Sequence, residues 1–171
     1  MRIRPADAAN IRTLALSEVV LYDGAGTKVP ASKLKLELSS TCCSIYPGWP
    51  GPFPASMCSN GITDDLCRSL NAADDPSPTL NITYSCMYGR SSLSKVEVHN
   101  SMVPDLTGTG PGSINFFMME VLDGDGKPDK SPYMFSGGES TPKFSVVVTG
   151  ATRQSIRCNA WLGCCCAQSA V

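Results

Sequence analysis

The chain has 171 residues, of which 42% are hydrophobic and 17% charged, a composition that suits one domain with an apolar core. Its net charge of −1 provides no basic surface for nucleic acid, and no apolar run approaches the roughly 18 residues that a membrane span needs. The single histidine, His99, excludes sites built from two imidazoles and so disfavours most hydrolases and metalloenzymes. We therefore expect a non-catalytic protein without a cofactor.

Apolar and polar residues alternate with period two along much of the chain, which predicts β-strands with one face in a core. Segments 17–22 and 114–122 are apolar on both faces and predict strands that are covered on both sides. Turn residues, including Asp-Gly pairs, separate these runs. The predicted strands are 2–4, 17–22, 34–38, 80–84, 95–99, 114–122, 133–135 and 144–148. Eight such strands predict an all-β fold, an antiparallel β-sandwich or jelly roll.

The alternation stops after Gly150, and the last segment carries four of the nine cysteines. We therefore expect two parts, a β-sandwich at 1–149 and a Cys-rich C-terminal extension at 150–171. Residues 1–20 show no signal-peptide pattern, so the sequence is expected to be a mature form or an excerpt of a larger secreted protein.

The cysteines contain no C-x-x-C pair, so they favour disulfides formed in an oxidising compartment over a zinc or redox site. This predicts a secreted protein of the extracellular matrix or cell surface. The odd count leaves one thiol free, linked to another chain, or separated from its partner. Adjacent cysteines are expected to bond separate partners, and a tail cysteine is expected to bond Cys42 or Cys43. The nine positions are Cys42, Cys43, Cys58, Cys67, Cys86, Cys158, Cys164, Cys165 and Cys166.

Two segments are candidates for attached sugars. Asn81-Ile82-Thr83 fits the N-glycosylation sequon, with Asn81 on the outward face of its predicted strand. Pro76, Ser77 and Pro78 resemble proline-rich tracts that carry hydroxyproline or O-linked sugars. An unused sequon and an ordinary loop are the respective alternatives.

Three aromatic residues are candidates for contact with a sugar or a partner protein. Trp49 and Phe53 lie in the proline-rich run YPGWPGPFP, where they would either stack on a sugar ring or cap the sandwich. Trp161 lies in the tail with Ile156 and Leu162, apolar side chains for which a lone sandwich has no obvious place.

Five segments resemble discoidin-type domains, also called coagulation-factor type C or fucolectin-like domains. MRIRPADAANIRTLALSEVVLYDGAGTKVP is similar to the opening of these domains, and PASMCSNGITDDLC to a Cys-containing loop of lectin-like members. PTLNITYSC, LSKVEVHN and INFFMMEVLDGDGK resemble later strands in the same order. The resemblance covers residues 1–149 and implies an eight-stranded jelly roll of secreted or surface glycoproteins, with a binding or adhesive role.

The resemblance also implies a pairing, because Cys58 and Cys67 enclose a short loop near the family's own cysteine pair. In fucose-binding members an Arg-rich segment with paired cysteines follows the V-x-N strand. Here that strand is followed by SMVPDLTGTGPGS, which has neither Arg nor Cys.

Two functions follow from these observations. The first is a structural or adhesive module of an extracellular glycoprotein assembly, such as a wall, appendage or fibre, that associates with itself or with sister modules. The second is a carbohydrate-binding, lectin-like module. We rank the first ahead because of the missing Arg segment, the odd cysteine and the apolar tail.

Overall fold

In a computed structural model, the described residues are 1–7, 13–43, 51–84, 93–101, 113–122, 126–129, 131–135 and 141–148. They form two antiparallel β-sheets around one hydrophobic core, so the predicted all-β sandwich is confirmed at that level. The strands within these ranges are β1 (Arg2–Pro5), β2 (Ala15–Asp23), β3 (Leu34–Leu38), β4 (Cys67–Arg68), β5 (Leu80–Tyr84), β6 (Leu93–Asn100), β7 (Phe117–Glu120), β8 (Tyr133–Met134) and β9 (Lys143–Val147). Three 3-10 turns accompany them, at Ala31–Lys33, Ala55–Ser59 and Ser113–Phe116.

The strand order places chain-distant segments side by side. One sheet has the order β3-β5-β1-β7-β8 and the other β4-β2-β6-β9. The first strand, β1, lies in the middle of its sheet, where Arg2 is opposite Asn81 on one side and Glu120 on the other. Strands β8 and β9 are the last strands of their respective sheets.

The core is formed by the alternating apolar side chains of both sheets. In β5 and β9 every second residue is buried, as the period-two pattern predicts. In β2, six consecutive residues are buried, which agrees with a strand covered on both faces. The central apolar residues are Ile3, Val19, Leu21, Leu80, Ile82, Val96, Val98, Phe117, Met119, Phe144 and Val146.

Two predicted strands extend over buried residues that the structure places outside a strand, and one short strand is missing from the prediction. The run 114–122 begins as the turn Ser113–Phe116 and becomes a strand only at Phe117. Ile114 is fully buried within that turn, so an apolar run here indicates burial without indicating a strand. The strand predicted at 133–135 ends at Met134, and Phe135 is buried beyond it. The strand β4 has only two residues, too few for a periodic signal, and was not predicted.

A buried carboxylate joins the first strand to a late one. Glu120 in β7 accepts bonds at 2.6 and 2.9 Å from Arg2 and at 2.8 and 3.0 Å from Arg4. Its side chain is only 3% exposed, whereas both arginines retain contact with water. The hydrogen bond from Arg4 is the largest cause that lowers the pKa of Glu120, and with Arg2 it outweighs burial and brings the pKa to about 2.

We predict that Glu120→Gln lowers the free energy of unfolding by about 2 kcal/mol, because it removes charged hydrogen bonds at a buried site. The matched control is Glu37→Gln on the same sheet, where Glu37 and its partner Lys35 are mostly exposed, and its expected loss is below about 0.5 kcal/mol. Urea unfolding at neutral pH measures both. Equal losses would contradict this assignment.

The same carboxylate predicts a pH dependence. Since its folded pKa lies below the ordinary 4.5, its contribution to stability is present above pH 4.5 and is lost as the pH falls toward about 2. The thermal unfolding temperature of the natural chain should therefore fall more steeply over this pH interval than that of the Glu120→Gln variant. Parallel pH profiles would show that Glu120 is not the titrating group.

Candidate functional site

The two edge strands β8 and β9 lie at the same side of the sandwich. Phe135, just after β8, meets Phe144 of β9 edge to face, with ring centroids 5.3 Å apart. Both rings are buried, and Tyr133 continues the series outward at 5.6 Å from Phe135. The aromatic contacts therefore connect the edge of one sheet to the edge of the other.

An open groove lies along this side. Its walls come from both sheets and are mainly apolar, with two hydroxyl groups, those of Ser131 and Tyr133. They are Met119, Val121, Ser131, Pro132, Tyr133, Val146, Val147 and Val148.

The large exposed hydrophobic residues concentrate at this side. In the described part of the chain, four such residues are exposed, and three of them lie on β8 or β9. Tyr133 is 38% exposed, Met134 48% and Val147 66%, whereas Ile62 lies on the loop after Ser59. We call the groove together with Tyr133, Met134 and Val147 the apolar edge.

The apolar edge also offers backbone hydrogen-bonding groups. Strand β9 pairs with β6 on one side, and no described strand pairs with its other side. In an antiparallel pair, residues whose N–H and C=O groups bond the neighbouring strand alternate with residues whose groups point away from it. The bond from Asn100 N–H to the Pro142 carbonyl shows that Pro142 belongs to the first set. The backbone groups of Lys143, Ser145 and Val147 therefore point away from β6, in the plane of the sheet.

Charges near β9 are paired on the outer face of its sheet. Glu97 accepts bonds from Lys95 at 3.0 Å and from the Tyr22 hydroxyl at 3.1 Å, and Lys143 lies 3.6 Å away. Burial raises the pKa of Glu97, but these hydrogen bonds and the two lysine charges outweigh it, so its pKa is lowered. Lys143 thus has a counter-ion within its own sheet.

The sequence-predicted cysteine sites have different outcomes. Cys58 and Cys67 form a disulfide with Cα atoms 5.2 Å apart, which is the pair that the resemblance implies. Cys42 and Cys43 form no disulfide with any described cysteine, and the tail cysteines that one of them was expected to bond lie outside the described residues. The sulfur atoms of Cys42 and Cys43 lie 2.7 Å apart, so the two side chains point toward each other. The other five, Cys86, Cys158, Cys164, Cys165 and Cys166, lie outside the described residues.

The residues predicted to carry sugars differ in their exposure to solvent. Asn81 is exposed on the outer face of β5, as its alternation predicts. Pro76 and Ser77 are exposed, whereas Pro78 is buried, a placement that disfavours modification of its ring. The segment is held by Asp75, whose carboxylate accepts the Ser39 hydroxyl at 2.6 Å.

Phe53 is not available for stacking on a sugar. Its side chain is 2% exposed, which disfavours the sugar-stacking alternative for this residue. Its N–H donates to the Cys42 carbonyl and its own carbonyl accepts from Arg68, which draws the ring inward. Trp49 and Trp161 lie outside the described residues.

Alternation located the inward faces but missed the apolar edge. Its one sequence signal is the run Tyr133-Met134-Phe135, three large apolar residues in a short strand, where only every second side chain can face the core. Phe135 enters the core and its two predecessors stay outside.

Among the described residues, no group of three or more His, Cys, Asp or Glu side chains is placed to hold a metal ion. No helix in that part is long and apolar enough to cross a membrane. The chain matches no protein-family model, no curated protein and no solved structure.

We predict that replacing both Cys58 and Cys67 by Ser lowers the free energy of unfolding by about 2–3 kcal/mol, because the disulfide closes a short loop and restricts the unfolded chain. Chemical unfolding of the double variant measures this loss. Peptide mapping without reductant provides the direct check, since it should recover the two cysteines in one linked peptide pair. Recovery of Cys58 with any other cysteine would refute the pairing.

Proposed function

We propose that this chain is a non-catalytic structural or adhesive module of an extracellular glycoprotein assembly, and that it works by associating with copies of itself through the apolar edge. The observation that supports this most strongly is the coincidence of exposed apolar side chains with unpaired backbone groups at one side of the sandwich. Unpaired strand edges are natural docking points for other strands.

The occupant of the edge is a second copy of β9, added antiparallel to the first. A two-fold axis at Ser145 places Lys143 of each copy opposite Val147 of the other, so that no like charges stand opposite each other. The lysine stems then cover the exposed valines, while each lysine keeps its contact with Glu97. Tyr133 and Met134 flank the new strand pair from the neighbouring sheet.

Other features of the chain support an extracellular setting. The Cys58–Cys67 disulfide is typical of an oxidising compartment, and Asn81 presents its sequon to solvent. The odd number of cysteines allows one covalent link between copies, which would extend a two-fold pair into a fibre.

The carbohydrate-binding alternative receives less support. Of its three aromatic candidates, the one that is described is buried. A glycan array on the purified chain separates the two functions, since specific sugar binding would reverse their order.

We predict that Val147→Lys weakens self-association at least about tenfold, because it places a second ammonium group opposite Lys143 of the other copy. Light scattering over a concentration series gives the dissociation constant. The matched control is Ile62→Lys, which adds the same charge at an exposed apolar residue away from the edge and should leave association unchanged. A natural chain that stays monomeric at all concentrations, or equal effects of the two variants, would refute the proposal.

We further predict that Asn81 carries an N-glycan when the chain is produced in a eukaryotic secretory pathway. Asn81→Gln and Thr83→Ala should both lose the mass that an endoglycosidase removes, whereas Thr83→Ser keeps the sequon and should retain it. Mass spectrometry of the tryptic peptides identifies the site. An unmodified Asn81 peptide from the natural chain would refute the prediction.

A further inference from the structure

The two adjacent thiols at the end of the segment that follows β3 are unusually close. The Sγ atoms of Cys42 and Cys43 lie 2.7 Å apart. This is shorter than the ~3.5–4 Å at which non-bonded heavy atoms usually rest and longer than the ~2.05 Å of a disulfide. The two side chains therefore point at each other and not toward separate partners.

The backbone holds this arrangement in place. The Cys42 N–H donates to the Arg68 carbonyl at 2.8 Å, and the Cys42 carbonyl accepts from Phe53 at 3.1 Å. Phe53 accepts in turn from the Arg68 N–H at 3.1 Å, so the three residues close a ring of backbone hydrogen bonds. Since Arg68 follows the disulfide-bonded Cys67 in β4, these hydrogen bonds tie the thiol pair to a strand that the disulfide anchors.

The two thiols differ in access. Cys42 is 3% exposed, whereas Cys43 is exposed. Burial, followed by the hydrogen bond from Cys43, raises the pKa of the Cys42 thiol to about 11. Cys43 is therefore the sulfur that meets reagents first, and Cys42 is a shielded neighbour in position to react with it.

We propose that Cys42 and Cys43 form a reversible redox site, a dithiol that closes to a disulfide between adjacent residues. The oxidant is a low-molecular-weight disulfide. The Cys43 thiolate attacks one of its sulfurs and releases the first small thiol, which leaves a mixed disulfide on Cys43. Cys42 Sγ then attacks Cys43 Sγ, forms the bond between them and releases the second small thiol. Two electrons and two protons pass from the cysteine pair to the oxidant.

Chain geometry makes this disulfide easier to reduce than the other one. Adjacent Cα atoms are 3.8 Å apart across a trans peptide, below the usual 4.4–6.8 Å range for bonded cysteines. Cys58 and Cys67 lie within that range at 5.2 Å. Strained disulfides have more oxidising potentials, so the adjacent pair opens under conditions that leave the Cys58–Cys67 bond closed.

The proposed disulfide changes the number of cysteines that remain without an assigned partner. Cys42–Cys43 and Cys58–Cys67 account for four of the nine cysteines, which leaves five. Five is still odd, so any covalent link between copies comes from Cys86 or the tail cysteines. This inference does not depend on the proposed self-association.

The test is thiol mapping of the full chain equilibrated in glutathione buffers of graded ratio. Free thiols are blocked with N-ethylmaleimide, and the peptides that contain each cysteine pair are quantified by mass spectrometry. In oxidised glutathione, the peptide that contains Cys42 and Cys43 should be two hydrogens lighter than its dithiol form. It should carry no N-ethylmaleimide and no link to another peptide. At each buffer ratio, its reduced-to-oxidised ratio should exceed that of the Cys58–Cys67 pair at least about tenfold.

A dithiol-specific arsenical, phenylarsine oxide, provides an independent readout. After mild reduction it should bind the peptide that contains Cys42 and Cys43 in the natural chain and in the control Cys86→Ser, and binding at this peptide should be lost in Cys42→Ser and in Cys43→Ser. In Cys43→Ser, the remaining buried Cys42 should also resist N-ethylmaleimide in the folded state. Linkage of Cys42 or Cys43 to another peptide, complete blocking of both in oxidised glutathione, or reduction of both pairs together would overturn the proposal.

Discussion

The contact between Phe135 and Phe144 joins the edge of one sheet to the edge of the other. The rings belong to opposite sheets and meet edge to face at 5.3 Å, a geometry that contributes ~1 kcal/mol beyond the area that they bury. Because this contact holds β8 beside β9, the two sheets end on one side. Tyr133, Met134 and Val147 therefore lie on one surface and not on two separate ones.

The other two strand edges show how unusual this side is. At the β3 edge, Lys35 and Glu37 are exposed and form an ion pair at 2.7 Å, and charges of this kind discourage further pairing. At the β4 edge, Arg68 is buried and its N–H and carbonyl are bonded to Phe53 and Cys42. In the described part of the chain, only the side formed by the β8 and β9 edges combines backbone groups that no strand pairs with exposed apolar side chains. That asymmetry is the physical basis for assigning association to this side.

The features that could be predicted from the sequence are those that depend on residues close together along the chain. Alternation identified the strands and the outward position of Asn81, because the side-chain period of a strand is a local property. It could not identify the partners of Glu120, since Arg2 and Arg4 are more than 110 residues away and only the sheet order brings them together.

The candidate site was beyond sequence reasoning for a similar reason. A strand can be identified as an edge strand only when the order of the strands in the sheet is known, and that order depends on pairing between segments distant in the sequence. The short distance between the Cys42 and Cys43 sulfur atoms was not predicted. The rule that the side chains of adjacent cysteines diverge takes no account of the backbone hydrogen bonds that fix Cys42. The Cys58–Cys67 bond, in contrast, closes a loop short enough to be recognised along the chain.

The most direct test of the central claim is hydrogen–deuterium exchange of the β9 peptide over a concentration series. Association through this strand should protect the amides of Lys143, Ser145 and Val147 by at least about tenfold as the concentration rises, while a β3 peptide over residues 34–38 stays unchanged. Protection of the β9 peptide that is already complete in dilute monomer would mean that the chain's own segment covers the edge. That result, or association without added protection of β9, would contradict the account.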